Sequence, residues 1–354
     1  MRCSDPQLED HIDQNRMTHY YRPIPMTDIH RSTEALPLAG GWCWFDKVAV
    51  MEKGRKPVVV PANEITEAEL GKLTQRRSTI LNQTMSAPRI MGILNVTPDS
   101  FSDGGDHNAP SAAAARAVQM AADGASFIDI GGESTRPGAE EVPVLEETSR
   151  VTGALNAIRE ASNIPVSVDT RKSEVAAAVS DDPSWMINDV SAGLFDTAMF
   201  KTAARHDVPI CLMHSVGTPE TMQSQAVYDD VVLDVYDHLK LRIDAAVAAG
   251  VATRNIIVDP GIGFGKTLDH NLALLQNLSL FHGLGCPILL GASRKRFIGT
   301  ISGEEAPKDR MPGSVAVAQW GVQQGVQILR VHDTKPTKQM INLMMAVITG
   351  KHDT

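Results

Sequence analysis

The 354-residue sequence predicts an α/β fold, a closed barrel of eight strand–helix units behind an N-terminal extension. Three observations predict it. From Pro88 onward, short β-rich runs alternate with amphipathic or Ala-rich stretches, the order that gives a parallel sheet with helices outside it. The alternation repeats eight times, matching a (β/α)8 TIM barrel in number and in size, for which about 250 residues are typical. Each of the eight runs finishes on a hydrogen-bonding or charged residue, as expected where one end of a barrel carries chemistry. A doubly wound open sheet is the alternative, but it rarely extends to eight uninterrupted units.

In chain order, residues 1–35 are polar with scattered prolines and read as a loose tail. Lys47 to Glu52, the turn Lys53-Gly54-Arg55, and Lys56 to Val60 predict a short hairpin. Thr66-Glu67-Ala68-Glu69 is a capping-box pattern that opens a helix running toward Arg77. Such a unit is too small to bury much core alone, so it is expected to pack on the barrel. The extension is taken as residues 1–86 and the barrel as 87–354. Barrel strands are predicted at Ile90–Val96, Phe127–Ile130, Val166–Asp169, Trp185–Val190, Ile210–His214, Ile256–Asp259, Ile288–Ala292 and Ile328–His332. The helices between them include Ser111–Ala122, Leu145–Ala161, Val231–Ala249 and Val315–Gln324.

Composition excludes several classes of function. With 43% hydrophobic and 21% charged residues the chain is ordinary globular material, neither disordered nor fibrous. No apolar run approaches the roughly 18 residues that span a membrane, and the polar N-terminus lacks a signal-peptide core. Cys3, Cys43, Cys211 and Cys286 are scattered without a C-x-x-C pair, which points to reduced thiols and a cytoplasmic protein. Residues 1–86 hold 11 Lys/Arg and 11 Asp/Glu, so the whole net charge of −9 lies in residues 87–354. That balance argues against nucleic acid and for a small anionic substrate held by a few placed cations.

The polar strand ends are Asn95, Asp129, Asp169, Asn188 with Asp189, His214, Asp259, Ser293 with Arg294 and Lys295, and Arg330 with His332. Any one alone reads as a helix cap or turn residue. Eight in one ring favour a site. Arg330 and His332 alternate with Leu329 and Val331, so both face one side of a buried strand. A buried Arg needs a partner. Its structural alternative is an ion pair with Asp333 or a neighbouring strand, and its functional one is anion binding near the last two loops. Asp259-Pro-Gly-Ile-Gly-Phe-Gly-Lys-Thr267 is not a nucleotide loop, because Pro260 and Lys266 stand where glycines are required. Its glycines let backbone approach a ligand beside Asp259. Zinc-hydrolase and serine-hydrolase motifs are absent.

Several segments, in order over about residues 88–350, resemble the signatures of the dihydropteroate synthase family. They are Asn95-Val-Thr-Pro-Asp-Ser-Phe-Ser-Asp-Gly-Gly105, Asp129-Ile-Gly-Gly-Glu-Ser-Thr-Arg-Pro-Gly-Ala139, Asp259 to Lys266, Gly291-Ala-Ser-Arg-Lys295 and Arg330-Val-His-Asp333. Leu212-Met-His-Ser-Val-Gly217 departs from the family, which usually carries Met-Gln after the His. The resemblance implies condensation of p-aminobenzoate with 6-hydroxymethyl-7,8-dihydropterin diphosphate, releasing pyrophosphate, by a sulfonamide-sensitive class of homodimeric enzyme. It assigns the pterin to Asp259, Asn188, Asp169, Met213 and Lys295, and the diphosphate to Arg330 and His332. It assigns Mg²⁺ to Asn95, and p-aminobenzoate to Phe264, Ser293 and the loops carrying Asp99, Phe101, Thr135, Arg136 and Pro137. Asp169, Asp259, Lys295, Arg330 and His332 are implied as catalytic. The chemistry suits the residues, since a carboxylate accepts the paired N–H groups of a pterin edge as it accepts Arg. Diphosphate loss leaves a stabilised cation and needs leaving-group neutralisation more than a general base. Two alternatives stand beside it. A methyl-pterin transfer barrel would lack the Ser134–Pro137 loop and Ser293–Lys295, and a non-catalytic pterin binder would not need the diphosphate positions.

Overall fold

The computed structural model describes residues 19–97, 109–134, 141–217 and 225–352. The extension opens with β1 (Tyr20–Pro23), followed by β2 (Leu36–Pro37), β3 (Trp44–Phe45), β4 (Lys47–Met51) and β5 (Val58–Pro61). β4 and β5 form the expected hairpin, antiparallel with Lys47 opposite Pro61, and β1 adds to the free side of β4 with Tyr20 opposite Met51. Helix α1 (Glu67–Thr74) is capped by Thr66, whose Oγ accepts from the Glu69 N–H at 3.3 Å. It stops short of Arg77 because Gln75 turns extended, and the Arg77 guanidinium folds back to donate to Lys72 O and Gln75 O.

From Tyr20 onward the expected loose tail is instead ordered, and Tyr20 itself is fully buried. Its ring meets Tyr236 edge-on at 5.4 Å and its hydroxyl donates to the Asp237 carboxylate at 2.9 Å. Lys53 pairs with Asp234 and Asp237, Trp42 Nε1 donates to Val322 O, and Arg77 Nη2 donates to His282 O. These partners lie far along the chain, so burial on the barrel orders a segment whose own composition favours coil.

The barrel follows. Its strands are β6 (Arg89–Asn95), β7 (Phe127–Gly131), β8 (Val166–Asp169), β9 (Trp185–Asp189), β10 (Ile210–Met213), β11 (Ile256–Asp259), β12 (Leu289–Leu290) and β13 (Ile328–Val331). They form one parallel sheet in the order β11-β10-β9-β8-β7-β6-β13-β12, and a parallel bridge between Val258 and Ile288 joins its two ends. The interleaved helices are α2 (Ala109–Ala122), α3 (Val144–Ala161), α4 (Ser173–Ala177), α5 (Met199–His206), α6 (Val231–Ala248), α7 (Leu268–Gln276), α8 (Arg296–Ser302), α9 (Met311–Gln323) and α10 (Thr334–Thr349). Strand β12 is shorter than the predicted Ile288–Ala292. The chain leaves the ladder at Gly291 and turns through Arg294 at φ +58°, placing Ser293 and Lys295 at the barrel mouth.

Strands buried on both faces read as unbroken apolar runs, and β8 to β11 are buried at every residue. Inside the barrel Met91, Phe127, Met186, Cys211, Ile257, Leu289 and Ile328 make an apolar layer. Ile80 and Met85, from the segment joining extension to barrel, are fully buried against it and close the N-terminal end.

Candidate active site

At the other end of the strands the interior changes from apolar to charged. Parallel register sets Asn95, Gly131, Asp169 and Asn188 side by side on β6 to β9, and Met213 beside Asp259 on β10 and β11. Arg330 reaches in from β13. Its Nε donates to Asp129 Oδ2 and its Nη2 to Asp169 Oδ2, both at 2.6 Å. Asn188 Nδ2 donates to Asp129 at 3.2 Å. One guanidinium thus ties two buried carboxylates across three strands, a charge-assisted geometry that resists removal of any member.

The pairing is incomplete. Asp169 Oδ1 is buried and accepts no hydrogen bond among the described residues. Burial pushes the Asp169 carboxyl up to about 7 against the pull of Arg330, with Asp129 adding to the rise. Asp259 is likewise raised by burial, against Lys295 and the Gly261 N–H that donates to its Oδ1 at 2.7 Å. Its Oδ2 turns toward Gly291. Burial pushes the Lys295 ammonium down to about 7, opposed by Asp259 and helped by Arg330. A buried acceptor short of a donor and a cation short of its charge both gain from a ligand with N–H groups and a carbonyl.

The turn after β11 supplies the far wall. Lys295 Nζ donates to Ile262 O and stands 4.3 Å over the Phe264 ring. Two glycines are required here. A Cβ on Gly261 (φ +69°) would lie 1.9 Å from His214 O, and one on Gly263 (φ +82°) would meet the Lys295 stem at 2.8 Å. Ser293 Oγ accepts from the His332 N–H at 3.2 Å and contacts its Nδ1 at 3.1 Å, bringing the loops after β12 and β13 together. Asp333 is taken by Arg294 and not by Arg330. Ser215, at the departure from the family pattern, donates to Val190 O at 2.8 Å and binds the β10 loop to that of β9.

Beneath the β7 loop lies a buried network without a sequence-level role. Lys172 Nζ donates to Glu133 Oε2 at 2.6 Å, Glu147 Oε2 at 2.7 Å and Val142 O at 2.6 Å. Arg171 also pairs with Glu133 and stacks 4.3 Å over Phe195. Against the effect of burial, Lys172, the Val142 N–H and Arg171 hold the Glu133 carboxyl below the usual range.

Of the residues singled out in the sequence, Asn95, Asp169, Asn188, Met213, Asp259, Phe264, Ser293, Lys295, Arg330 and His332 come to this one mouth. Asp99, Phe101, Thr135, Arg136 and Pro137 lie outside the described residues. Asp129 reads in the sequence only as a polar strand end, yet it carries the centre of the Arg330 network. Lys266, Glu133 and Lys172 escape the sequence reading as individuals, because their signal is the burial of charge, which sequence does not display. For a divalent cation the fit rests on Asn95. Gly131 carries no side chain between Asn95 Oδ1 and the Asp169 carboxylate, leaving a gap that a Cβ would narrow to 3.4 Å from the amide oxygen. One neutral oxygen beside a diphosphate is the sparse, hard donor set that Mg²⁺ accepts.

The model of the pterin binding enzyme family matches residues 91–332, and the chain belongs to that family. Its place within the family is in the dihydropteroate synthase branch. The dihydropteroate synthase of Escherichia coli strain K12 is 43% identical over 269 residues, 76% of this chain and 95% of the relative. The Yersinia pestis enzyme, solved as a sulfonamide drug complex, superposes with TM-score 0.71 at 43% identity over 75% of this chain and 96% of that one. The Xanthomonas albilineans enzyme in complex with 7,8-dihydropteroate gives TM-score 0.67 at 42% identity, with 75% and 95% covered. The extension precedes the family match. Among the described residues no helix is long and apolar enough to cross a membrane.

Proposed function

We propose that the chain joins p-aminobenzoate to 6-hydroxymethyl-7,8-dihydropterin diphosphate, giving 7,8-dihydropteroate and pyrophosphate. The observation that carries the reading is the ring of Asp169, Asn188, Asp259 and Lys295, with Asp169 Oδ1 buried and without a donor. In the proposed complex the pterin supplies the missing donors. Its ring N–H and amino groups reach Asp169 and Asp259, and Lys295 leaves Ile262 O to donate to the pterin carbonyl and N5 region. A site whose polar groups are satisfied only by a pterin rejects analogues that lack those groups.

The amine nitrogen of p-aminobenzoate forms the new bond to the pterin methylene carbon while the carbon–oxygen bond to diphosphate breaks. Pyrophosphate carries away the bonding electrons, and the amine sheds a proton to solvent. Asp169 and Asp259 stabilise positive charge developing on the pterin, and Arg330 and His332 lie where the leaving group is expected. Asn95 would hold Mg²⁺, which when bound neutralises diphosphate charge. Met213 flanks the pterin, Phe264 and Ser293 hold the p-aminobenzoate ring and carboxylate, and the loops carrying Asp99, Phe101, Thr135, Arg136 and Pro137 complete that pocket.

The proposal extends to a cytoplasmic homodimer. Cys43, Cys211 and Cys286 are free thiols, and Ile301, Trp320, Leu343 and Val347 leave apolar surface on α8 to α10. Sedimentation measures the dimer directly. The activity is tested by incubating both substrates with Mg²⁺ and weighing the products by mass spectrometry. Dihydropteroate and pyrophosphate in equal amounts are expected, and their absence refutes the reading. Chelation should abolish turnover while a diphosphate-free pterin still binds.

A further inference from the structure

Lys266 is 3% exposed, and its ammonium bonds among the described residues to two carbonyls and a histidine ring and not to a carboxylate, although the charge of Asp259 acts on it. An unpaired buried lysine is costly and calls for a reason. Its Nζ donates to Phe264 O at 2.9 Å and to His214 O at 3.3 Å, and lies 2.9 Å from His214 Nδ1. Burial, with Lys295 nearby, pushes it well below the ordinary lysine value against the pull of Asp259. A neutral amine still has two N–H groups for the two carbonyls and can accept from Nδ1–H, so the three contacts hold in either state. His214 is itself fixed edge-on against His238 at 4.6 Å.

The neighbouring contacts give these bonds a purpose. Tyr228 donates from its hydroxyl to Gly265 O at 2.8 Å, and Gly263 N donates to Asn271 Oδ1 at 2.6 Å. The turn Gly261–Gly265 is therefore held at Ile262 by Lys295, at Phe264 by Lys266 and at Gly265 by Tyr228. Of these clamps, Lys295 must release its carbonyl when it donates to a pterin. Lys266 and Tyr228 then keep the turn in place at the moment the second substrate enters.

We propose that Lys266, assisted by Tyr228, is a positioning residue that fixes the Phe264 ring for p-aminobenzoate and leaves pterin binding untouched. The proposal rests on the assignment of Phe264 to the p-aminobenzoate subsite. Lys266→Met should raise the KM for p-aminobenzoate roughly tenfold with kcat lowered less than about threefold, and leave pterin diphosphate affinity by calorimetry within about twofold. Phe264→Leu should raise the same KM, and Lys266→Met added to it should cost less than about twofold more, because the lysine acts through the ring. Tyr228→Phe, which loses one hydroxyl donor and no buried cation, should raise that KM about threefold even if Lys266→Met fails to fold. Multiplying effects in the double variant, or equal losses for both substrates, overturn the proposal. So does an unchanged KM in Tyr228→Phe. If Phe264→Leu leaves the KM unchanged, the subsite assignment itself fails. If it raises the KM and Lys266→Met does not, only the positioning role is lost.

Discussion

Replacing Lys172 with Met tests how the base of the β7 loop is held. The ammonium stands between Glu133 and Glu147, whose side chains are 5% and 1% exposed. Glu133 would keep Arg171 and the Val142 N–H, but the Glu147 carboxylate would keep no hydrogen bond among the described residues, since its Oε1 has none already. Leaving a buried carboxylate ionised and unpaired costs about 3–5 kcal/mol. Protonating one of the two instead costs about 1.4 kcal/mol per pH unit above the ordinary glutamate value, so about 3.7 kcal/mol at pH 7. The cheaper route sets the loss, which is expected at about 3–4 kcal/mol at pH 7 and about 1–2 kcal/mol at pH 5. The sign follows from linkage: a stranded carboxyl has its folded value raised, so its contribution to stability is present at low pH and lost as pH rises. Urea unfolding of the wild type and Lys172→Met, followed by circular dichroism at pH 5, 6 and 7, measures it. Adding Glu147→Gln should recover roughly 2 kcal/mol at pH 7 by removing the stranded charge. A loss below about 1 kcal/mol at pH 7, or one independent of pH, refutes the argument.

Three further outcomes are expected. Pterin affinity should peak near pH 7 and fall on both sides, because Asp169, raised to about 7, is ionised only above it, and Lys295, lowered to about 7, is charged only below it. Calorimetry showing a monotonic profile from pH 5 to 9 contradicts this. Asp259→Asn should weaken pterin binding by roughly 2–4 kcal/mol, because an amide accepts one N–H where the carboxylate accepts two, and wild-type affinity in this variant removes its role. Gly261→Ala should cost at least about 3 kcal/mol of stability, since a positive φ and a backbone clash act together, and an unchanged melting temperature would show that the turn relocates freely.

The barrel was legible because its strands are buried on both faces, which leaves unbroken apolar runs such as Ile210–Met213 and Ile256–Asp259 with a polar residue at or just past the end. The N-terminal stretch was not, because what orders Tyr20 is Tyr236 and Asp237, more than two hundred residues away. The truncation of β12 depends on a turn at Arg294 that no local pattern announces. In the site, alternation placed Arg330 on an inward face but could not name its partners. Asp333, adjacent in sequence, goes to Arg294, while Asp129 and Asp169 arrive through strand register. Motif matching found the residues that face a ligand. It passed over Lys172 and gave Lys266 no role of its own, because the importance of both lies in an amine buried where water does not reach.

The apolar layer closed by Ile80 and Met85 has an electrical consequence for the residues above it. Below Asp129, Asp169, Asp259 and Arg330 lies this buried apolar layer, so the medium there is poorly polarisable and their fields are weakly screened in that direction. A ligand that fills the mouth removes the remaining high-dielectric side. Each of these four fixed charges then acts on the ligand with greater strength than it had in the open barrel, without itself having to move. The plug at the bottom, contributed by the segment that joins extension to barrel, thereby sets how sharply the site at the top responds to being occupied.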